Sequence, residues 1–260
     1  MSKFTQRGLS AVYAASGCGA EALLVLPGAL GGGNAVLSRF EEIAGSRRLL
    51  TLDTWPRAGG MAELLDWLEA LFEAEGVERW VVYGGSFGGL VAQCLVRRFP
   101  EHTRALILSG TGAPDSAQAR SNRRVLRLLP WLPMPLVRGA LGLLLRLVLA
   151  RVGREREHVR AAYRPLVDGL ERADLESRYR LAIDFAEAHR FTPGDLADWP
   201  GSVLLLEGEG DRVASLKVRE ALRALYPQAE THTFRGAGHA AALAVPEEWA
   251  AVVGGFLNRL

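Results

Sequence analysis

The first 110 residues alternate between short apolar runs and longer amphipathic stretches, and this alternation constrains the fold most strongly. Predicted strands cover residues 9–14, 22–26, 48–54, 80–83 and 104–109, and predicted helices cover 35–44, 61–75 and 90–98. The helix at 61–75 carries its leucines on one face and ends at Gly76. Strands that alternate with helices form parallel sheets, so we predict an α/β fold with a mostly parallel central sheet and helices on both faces.

The alternation stops at residue 113 and resumes near residue 198. Residues 113–197 have a helical pattern with several prolines and no convincing strand. Beyond them, strands are predicted at 203–206 and 230–234, and helices at 216–225 and 246–257. We therefore predict one α/β core, residues 1–112 and 198–260, split by a helical cap of residues 113–197. An insertion of this length commonly has a function, such as forming a lid or a binding element.

Composition excludes several classes of protein. Of the 260 residues, 49% are hydrophobic, so a packed core is expected. The net charge is only +2, so we do not expect the protein to bind nucleic acid. Cys18 and Cys94 are too few for a disulfide framework and lack metal-ligand spacing. Prolines and arginines interrupt the most apolar stretch, residues 128–150, so no membrane span is predicted. We expect a cytoplasmic protein.

A glycine-rich turn follows the predicted strand at 80–83. Its sequence, Gly84-Gly85-Ser86-Phe87-Gly88, fits the pattern G-x-S-x-G and leads into a predicted helix. This is the strand–turn–helix setting in which a serine hydroxyl is held out from the sheet edge as a nucleophile. The N–H group of Phe87 would then face a developing oxyanion. The alternative is a glycine-rich turn that contains a serine by chance.

An activated serine needs a base, and the sequence offers five histidines. We choose His239, because it follows Gly236-Ala237-Gly238 directly after the last predicted strand, at the sheet edge where ligand sites of open α/β sheets lie. We do not expect a catalytic role for the other four histidines. His102 lies in a predicted surface turn, His158 and His189 are expected to be solvated, and His232 is expected to face outward from a strand.

The base needs an acid that orients it. Asp211 lies in the loop beyond the buried strand at 203–206. Glu207 and Glu209 are the competitors. Glu207 is too close to the end of the strand to reach outward, whereas Glu209 remains possible in a tight loop. We favour Asp211.

These motifs together resemble the α/β-hydrolase superfamily over residues 1–112 and 200–260. The chain order Ser86, Asp211, His239 is the nucleophile–acid–base order of that superfamily. Matching stretches are Phe99-Pro100-Glu101, Gly208-Glu209-Gly210-Asp211-Arg212-Val213, Gly236-Ala237-Gly238-His239 and Val245-Pro246-Glu247-Glu248. The resemblance implies a serine hydrolase that cleaves a small carboxylic ester through an acyl-enzyme, with no metal or organic cofactor.

One position departs from the superfamily's pattern. Members commonly have His-Gly after the third strand, whereas this chain has Pro27-Gly28. The second oxyanion donor is therefore predicted to be the N–H of Ala29, with Leu30 as the alternative. A backbone donor does not depend on its side chain, but the loop lacks the imidazole that often braces it. Leu30 and Trp131 are also predicted to contact the substrate.

Two features leave the function open. Residues 130–135 and 225–229 resemble maspardin-like members, which implies a non-catalytic binding protein as an alternative; acyl transfer or C–C bond hydrolysis by the same three residues is another. Between Arg120 and Arg164 there are eleven arginines and two acidic residues. The main interpretation is a lid with solvated arginines, and the alternative is weak contact with an anionic substrate, surface or partner. The sequence does not indicate an oligomeric state.

Overall fold

The computed structural model describes residues 1–153 and 156–260, without the side chains of Ala35 and His158. The strands are β1 (Ser2–Gln6), β2 (Leu9–Ser16), β3 (Glu21–Leu26), β4 (Arg48–Leu52), β5 (Arg79–Gly85), β6 (Thr103–Ser109), β7 (Ser202–Gly208) and β8 (Glu230–Phe234). The helices are α1 (Leu37–Glu41), α2 (Met61–Ala74), α3 (Phe87–Arg98), α4 (Ser116–Leu128), α5 (Met134–Val148), α6 (Arg156–Gly169), α7 (Arg172–Ala188), α8 (Leu216–Leu225), α9 (Ala241–Ala244) and α10 (Pro246–Leu257). Short 3-10 turns cover Gly33–Val36, Leu129–Trp131 and Pro193–Leu196.

All eight strands form one sheet in the order β1-β2-β4-β3-β5-β6-β7-β8. β2 runs antiparallel to both of its neighbours, and all other pairs are parallel. The prediction of a mostly parallel sheet with helices on both faces is thereby confirmed.

The sheet has one strand that the sequence did not predict. β1 pairs with β2 through a two-residue turn in which Arg7 and Gly8 have φ values of 48° and 82°. Such turns require positive φ at both positions and match the twist of a hairpin. β1 is mostly exposed and therefore lacks the apolar run by which a buried strand is recognised.

The helix predicted at 35–44 is much shorter in the structure. It is reduced to α1, preceded by the 3-10 turn at Gly33–Val36. Gly33 lies against β4, since a Cβ at this position would be 2.2 Å from the carbonyl oxygen of Leu52. Gly45, with φ of 63°, ends the segment in the left-handed conformation that commonly follows a helix.

Two apolar cores cover the two faces of the sheet. One contains buried side chains of α2, α3 and α8, and the other contains those of α1 and α10. Cys94 belongs to the first core, and its burial raises the pKa of its thiol, as expected for a packed side chain. Leu181 and Phe185 of α7 also belong to the first core, although they lie in the segment inserted between β6 and β7.

The inserted segment contains α4, α5, α6 and α7 and no strand within its described residues. α4 packs against α7, and α5 packs against α6. α7 in turn packs against α2 and α3, so it joins the insertion to the core. Across the described residues, no helix combines the length and the apolar character needed to cross a membrane.

Candidate active site

Ser86 lies in a strained turn between β5 and α3. Its φ of 51° places a non-glycine residue in the left-handed region, a strain that is typical of functional sites. A Cβ on Gly84 would be 2.6 Å from the Cα of Gly89, and one on Gly88 would be 2.1 Å from the carbonyl oxygen of Leu26. Only glycine therefore fits at positions 84 and 88, two residues before and after Ser86, as the G-x-S-x-G pattern predicts.

His239 and Asp211 are in direct contact. Nδ1 of His239 lies 2.8 Å from Oδ2 of Asp211; the Asp211 side chain is buried and that of His239 is partly buried. Oδ1 of Asp211 accepts hydrogen bonds from the backbone N–H groups of Val213 at 2.8 Å and Ala214 at 2.9 Å. The carboxylate is therefore fixed by the loop after β7. With Nδ1 engaged by a carboxylate, Nε2 is the ring nitrogen left to accept a proton.

The two competing acids have other partners. Glu207 is buried and accepts a hydrogen bond of 2.8 Å from Nε of Arg223, with Arg219 Nη1 at 3.6 Å. Glu209 accepts a hydrogen bond of 3.2 Å from the N–H of Gly236. Of the three acids considered, Asp211 is therefore the one that contacts His239.

The other histidines lie away from this pair. His102 bonds the carbonyl oxygen of Glu78, and His232 bonds Glu248. His189 differs from its predicted solvated position: its ring lies 5.3 Å from that of Phe191, and its Nε2 is buried without a hydrogen-bond partner among the described residues. The half-buried ring of His189 packs between Phe185 at the end of α7 and Phe191 just after it. The side chain of His158 lies outside the described residues.

One cavity of about 370 Å³ has both Ser86 and His239 in its wall. The predicted oxyanion residues Ala29 and Phe87 line it as well, and so does Leu30. A Cβ on Gly28 would be 3.8 Å from Cβ of Ser86, so the loop after β3 lies directly beside the serine. The remaining wall is mainly apolar, and much of it comes from α5, α7 and the region of α9. From α5 and α7 it includes Leu141, Leu144, Leu145, Val148, Leu175, Tyr179 and Ala182.

The loop after β3 is braced by a residue that sequence reasoning missed. The indole Nε1–H of Trp55 donates a hydrogen bond of 3.0 Å to the carbonyl oxygen of Gly28, and the N–H of Gly31 donates one of 2.9 Å to the same oxygen. The Trp55 ring also packs edge-to-face on Phe87, at 5.1 Å between ring centroids. Trp55 thus connects the two segments that carry the predicted oxyanion donors. The sequence did contain one indication of this role, because Trp55 follows the predicted strand at 48–54 and therefore lies at the same edge of the sheet as the site.

Trp131 does not line this cavity. Its side chain is 85% exposed in the short turn between α4 and α5. The turn that contains Pro130 and Pro133 places Trp131 on the surface, so its predicted contact with the substrate is not seen at this cavity.

The arginines of the cap differ in their surroundings. Arg123 pairs with Glu187 across α4 and α7, whereas Arg124 and Arg127 are exposed.

The chain belongs to the alpha/beta hydrolase family, whose sequence model matches residues 7–252. A hydrolase from Pseudomonas aeruginosa PA01 is similar in structure, with a TM-score of 0.79 and 20% identity over 98% of this chain and 97% of that one. A thermophilic esterase from Thermogutta terrifontis has a TM-score of 0.74 and 22% identity over 99% and 96% of the two chains.

A third similar structure is the 2-hydroxy-6-oxo-6-phenylhexa-2,4-dienoate hydrolase from Rhodococcus sp. strain RHA1. Its TM-score is 0.74, with 20% identity over 99% of this chain and 98% of that one. At these identities the similarities show the fold. A search of curated protein sequences found no match.

Proposed function

We propose that the protein is a serine hydrolase that cleaves carboxylic esters through an acyl-enzyme intermediate. The observation that carries this proposal is the 2.8 Å contact between His239 and Asp211 at the cavity whose wall also contains Ser86 on its strained turn. A nucleophile, a base and an orienting acid, here on the loops after β5, β8 and β7, are the parts that acyl transfer needs.

In the proposed reaction, Ser86 Oγ attacks the acyl carbon while Nε2 of His239 takes the hydroxyl proton. The N–H groups of Phe87 and Ala29 stabilise the oxyanion of the tetrahedral intermediate. His239 then gives its proton to the leaving alcohol as the C–O bond breaks, which leaves the acyl group on Ser86. Water, deprotonated by His239, then attacks the acyl carbon; the bond between that carbon and Ser86 Oγ breaks, His239 returns the proton to Oγ, and the acid is released. Asp211 stabilises the imidazolium formed in each half of the reaction.

The cavity supports a small, partly apolar substrate. Its volume of about 370 Å³ is near the lower end of the range for small-molecule sites, and its wall is mostly aliphatic. The Thermogutta terrifontis protein with the same fold is named an esterase, which agrees with this proposal.

A fluorophosphonate probe and a series of p-nitrophenyl esters from acetate to octanoate test the proposal. Covalent labelling of the protein together with ester turnover is the expected result. Absence of labelling in folded protein would favour the alternative of a non-catalytic binding protein. Labelling without ester turnover would favour acyl transfer or C–C bond hydrolysis.

The brace formed by Trp55 makes a separate prediction. Trp55→Phe keeps an aromatic ring against Phe87 but removes the N–H that bonds Gly28. Because the loss loosens the oxyanion loop and not the acyl pocket, kcat for an ester should fall while KM changes little. A net hydrogen bond contributes about 0.5–1.5 kcal/mol, so we expect a fall of about two- to tenfold.

Trp67→Phe is the matched control for this prediction. Trp67 is also buried, and its indole N–H donates to the carbonyl oxygen of Leu9; neither residue lines the cavity. Steady-state kinetics of both variants should show the fall in kcat only for Trp55→Phe. An equal fall in the two variants would mean that Trp55 acts on stability alone.

A further inference from the structure

Arg178 on α7 is a buried cation with incomplete pairing. The residue is only 8% exposed. Its Nε has no hydrogen-bond partner among the described residues, and its ion pair with Asp174 is a long one, with 4.0 Å between Nη1 and Oδ1. A guanidinium has five N–H donors, and leaving them unsatisfied in a buried place is costly. The site therefore has unused capacity to bind an anion.

Asp174 cannot fully compensate Arg178, because it serves other groups. Its Oδ1 accepts a hydrogen bond of 2.8 Å from Nε of Arg57, and its Oδ2 accepts one of 2.8 Å from the N–H of Glu171. Burial lowers the pKa of Arg178, with Asp174 acting in the opposite direction and Arg57 lowering the pKa further. Arg57 has a second carboxylate partner in Glu171, at 2.8 Å, whereas the ion pair that Arg178 makes is the long one with Asp174.

Arg178 lies between two cavities: it borders one of about 540 Å³, on the side of Arg57 and Asp174, and it is in the wall of the one that contains Ser86 and His239. Much of that wall is aliphatic and cannot satisfy a cation. Asn122 of α4, which is 8% exposed, lines the cavity too. Its Oδ1 accepts a hydrogen bond from Gln118, so its NH₂ group is what it can offer to a ligand. The cavity therefore combines the reacting groups with a buried cation and an amide donor.

We propose that Arg178 binds a carboxylate on the substrate, so that the preferred substrate is an ester with one negative charge. This inference rests on the proposed esterase function and adds the substrate class to it. The planar guanidinium matches a carboxylate in a two-bond contact. Asp174, 4.0 Å away, already offsets part of the positive charge of Arg178. The remaining charge therefore matches a monoanion better than a phosphate dianion. Substrate binding would then complete the pairing that the free protein lacks.

The test compares anionic and neutral esters of similar size. Mono-p-nitrophenyl glutarate against p-nitrophenyl valerate places the charge on the acyl half, and 4-acetoxybenzoate against phenyl acetate places it on the alcohol half. The measured quantity is the ratio of kcat/KM for the anionic ester to that for its neutral partner. In Arg178→Met this ratio should fall by about 10- to 100-fold for one of the two pairs, mainly through KM, as expected for a lost charged hydrogen bond.

Two further variants separate substrate binding from a structural role. Arg178→Lys keeps the charge and should retain an intermediate ratio. Arg180→Gln removes an exposed arginine two residues along α7, one that pairs with Glu176, and should leave both ratios unchanged. An Arg178→Met protein with unchanged ratios for both pairs would overturn the proposal, even if its overall activity fell.

Wild-type protein supplies a measurement that does not depend on the folding of any variant. Benzoate should inhibit hydrolysis of a neutral ester competitively and at lower concentration than benzamide, because only benzoate can pair with Arg178. Equal inhibition by the two compounds would overturn the proposal. Labelling of wild-type protein by the fluorophosphonate probe reports on the proposed esterase function separately, so failure of one conclusion is distinguishable from failure of the other.

Discussion

Ser86→Ala should abolish labelling by a fluorophosphonate and lower ester turnover by at least about 10³-fold, since the remaining donors and the cavity catalyse only weakly without the nucleophile. Thermal unfolding should change little, because only one hydroxyl is lost and the backbone at position 86 stays in the same strained conformation. Active-site labelling and turnover on purified protein measure both effects.

Ser121→Ala is a suitable control for this experiment. Ser121 is exposed on α4, so its replacement should leave labelling and turnover as in the wild type. Ester hydrolysis that persists in Ser86→Ala protein free of wild-type enzyme would remove Ser86 from its proposed role.

Asp211→Asn should lower kcat/KM by about 10³- to 10⁴-fold, the scale seen when such an acid becomes an amide. The reason lies in the two backbone N–H groups that bond Oδ1 of Asp211. They would hold the oxygen of the introduced amide, which turns its NH₂ group toward Nδ1 of His239. An imidazole that accepts at Nδ1 carries its proton on Nε2, where it cannot act as a base toward Ser86.

Glu209→Gln is the matched control, because it makes the same chemical change two residues away. The glutamine oxygen can still accept the hydrogen bond from Gly236, and Glu209 does not contact His239. We expect less than about a threefold change in kcat/KM, the size typical of a surface substitution. A larger loss in Glu209→Gln than in Asp211→Asn would move the acid role to Glu209.

The sequence predicted the parts of the site that local rules govern. Steric crowding dictates glycine at positions 84 and 88, so the turn around Ser86 is visible as a pattern. Asp211 follows the buried strand β7 and His239 follows the edge strand β8, and the carboxyl ends of parallel strands meet at one edge of the sheet. These inferences need only the period of the apolar residues and the order of the elements.

Long-range contacts could not be predicted in the same way. Trp55 bonds Gly28 across 27 residues, and no pattern near either residue indicates the pairing. Arg178 is one arginine in an arginine-rich chain, and its burial depends on how α7 packs against α2 and α3. Trp131 illustrates the opposite error, since an apolar residue in a cap was expected at the cavity and is 85% exposed. Tertiary packing decides all three positions.

The two helices that cover the cavity differ in how freely they can change during evolution. α7 continues into the main core through Leu181 and Phe185, so replacement of these core residues disturbs the stability of the whole domain. α5 contributes Leu141 and Leu145 to the cavity but has Leu136, Leu143 and Leu147 exposed on its outer side. Leu144 of α5 both lines the cavity and is 46% exposed, so its replacement meets fewer packing constraints than replacement of a core residue of α7. Divergence or laboratory selection should therefore change the shape of the cavity through α5 more readily than through α7.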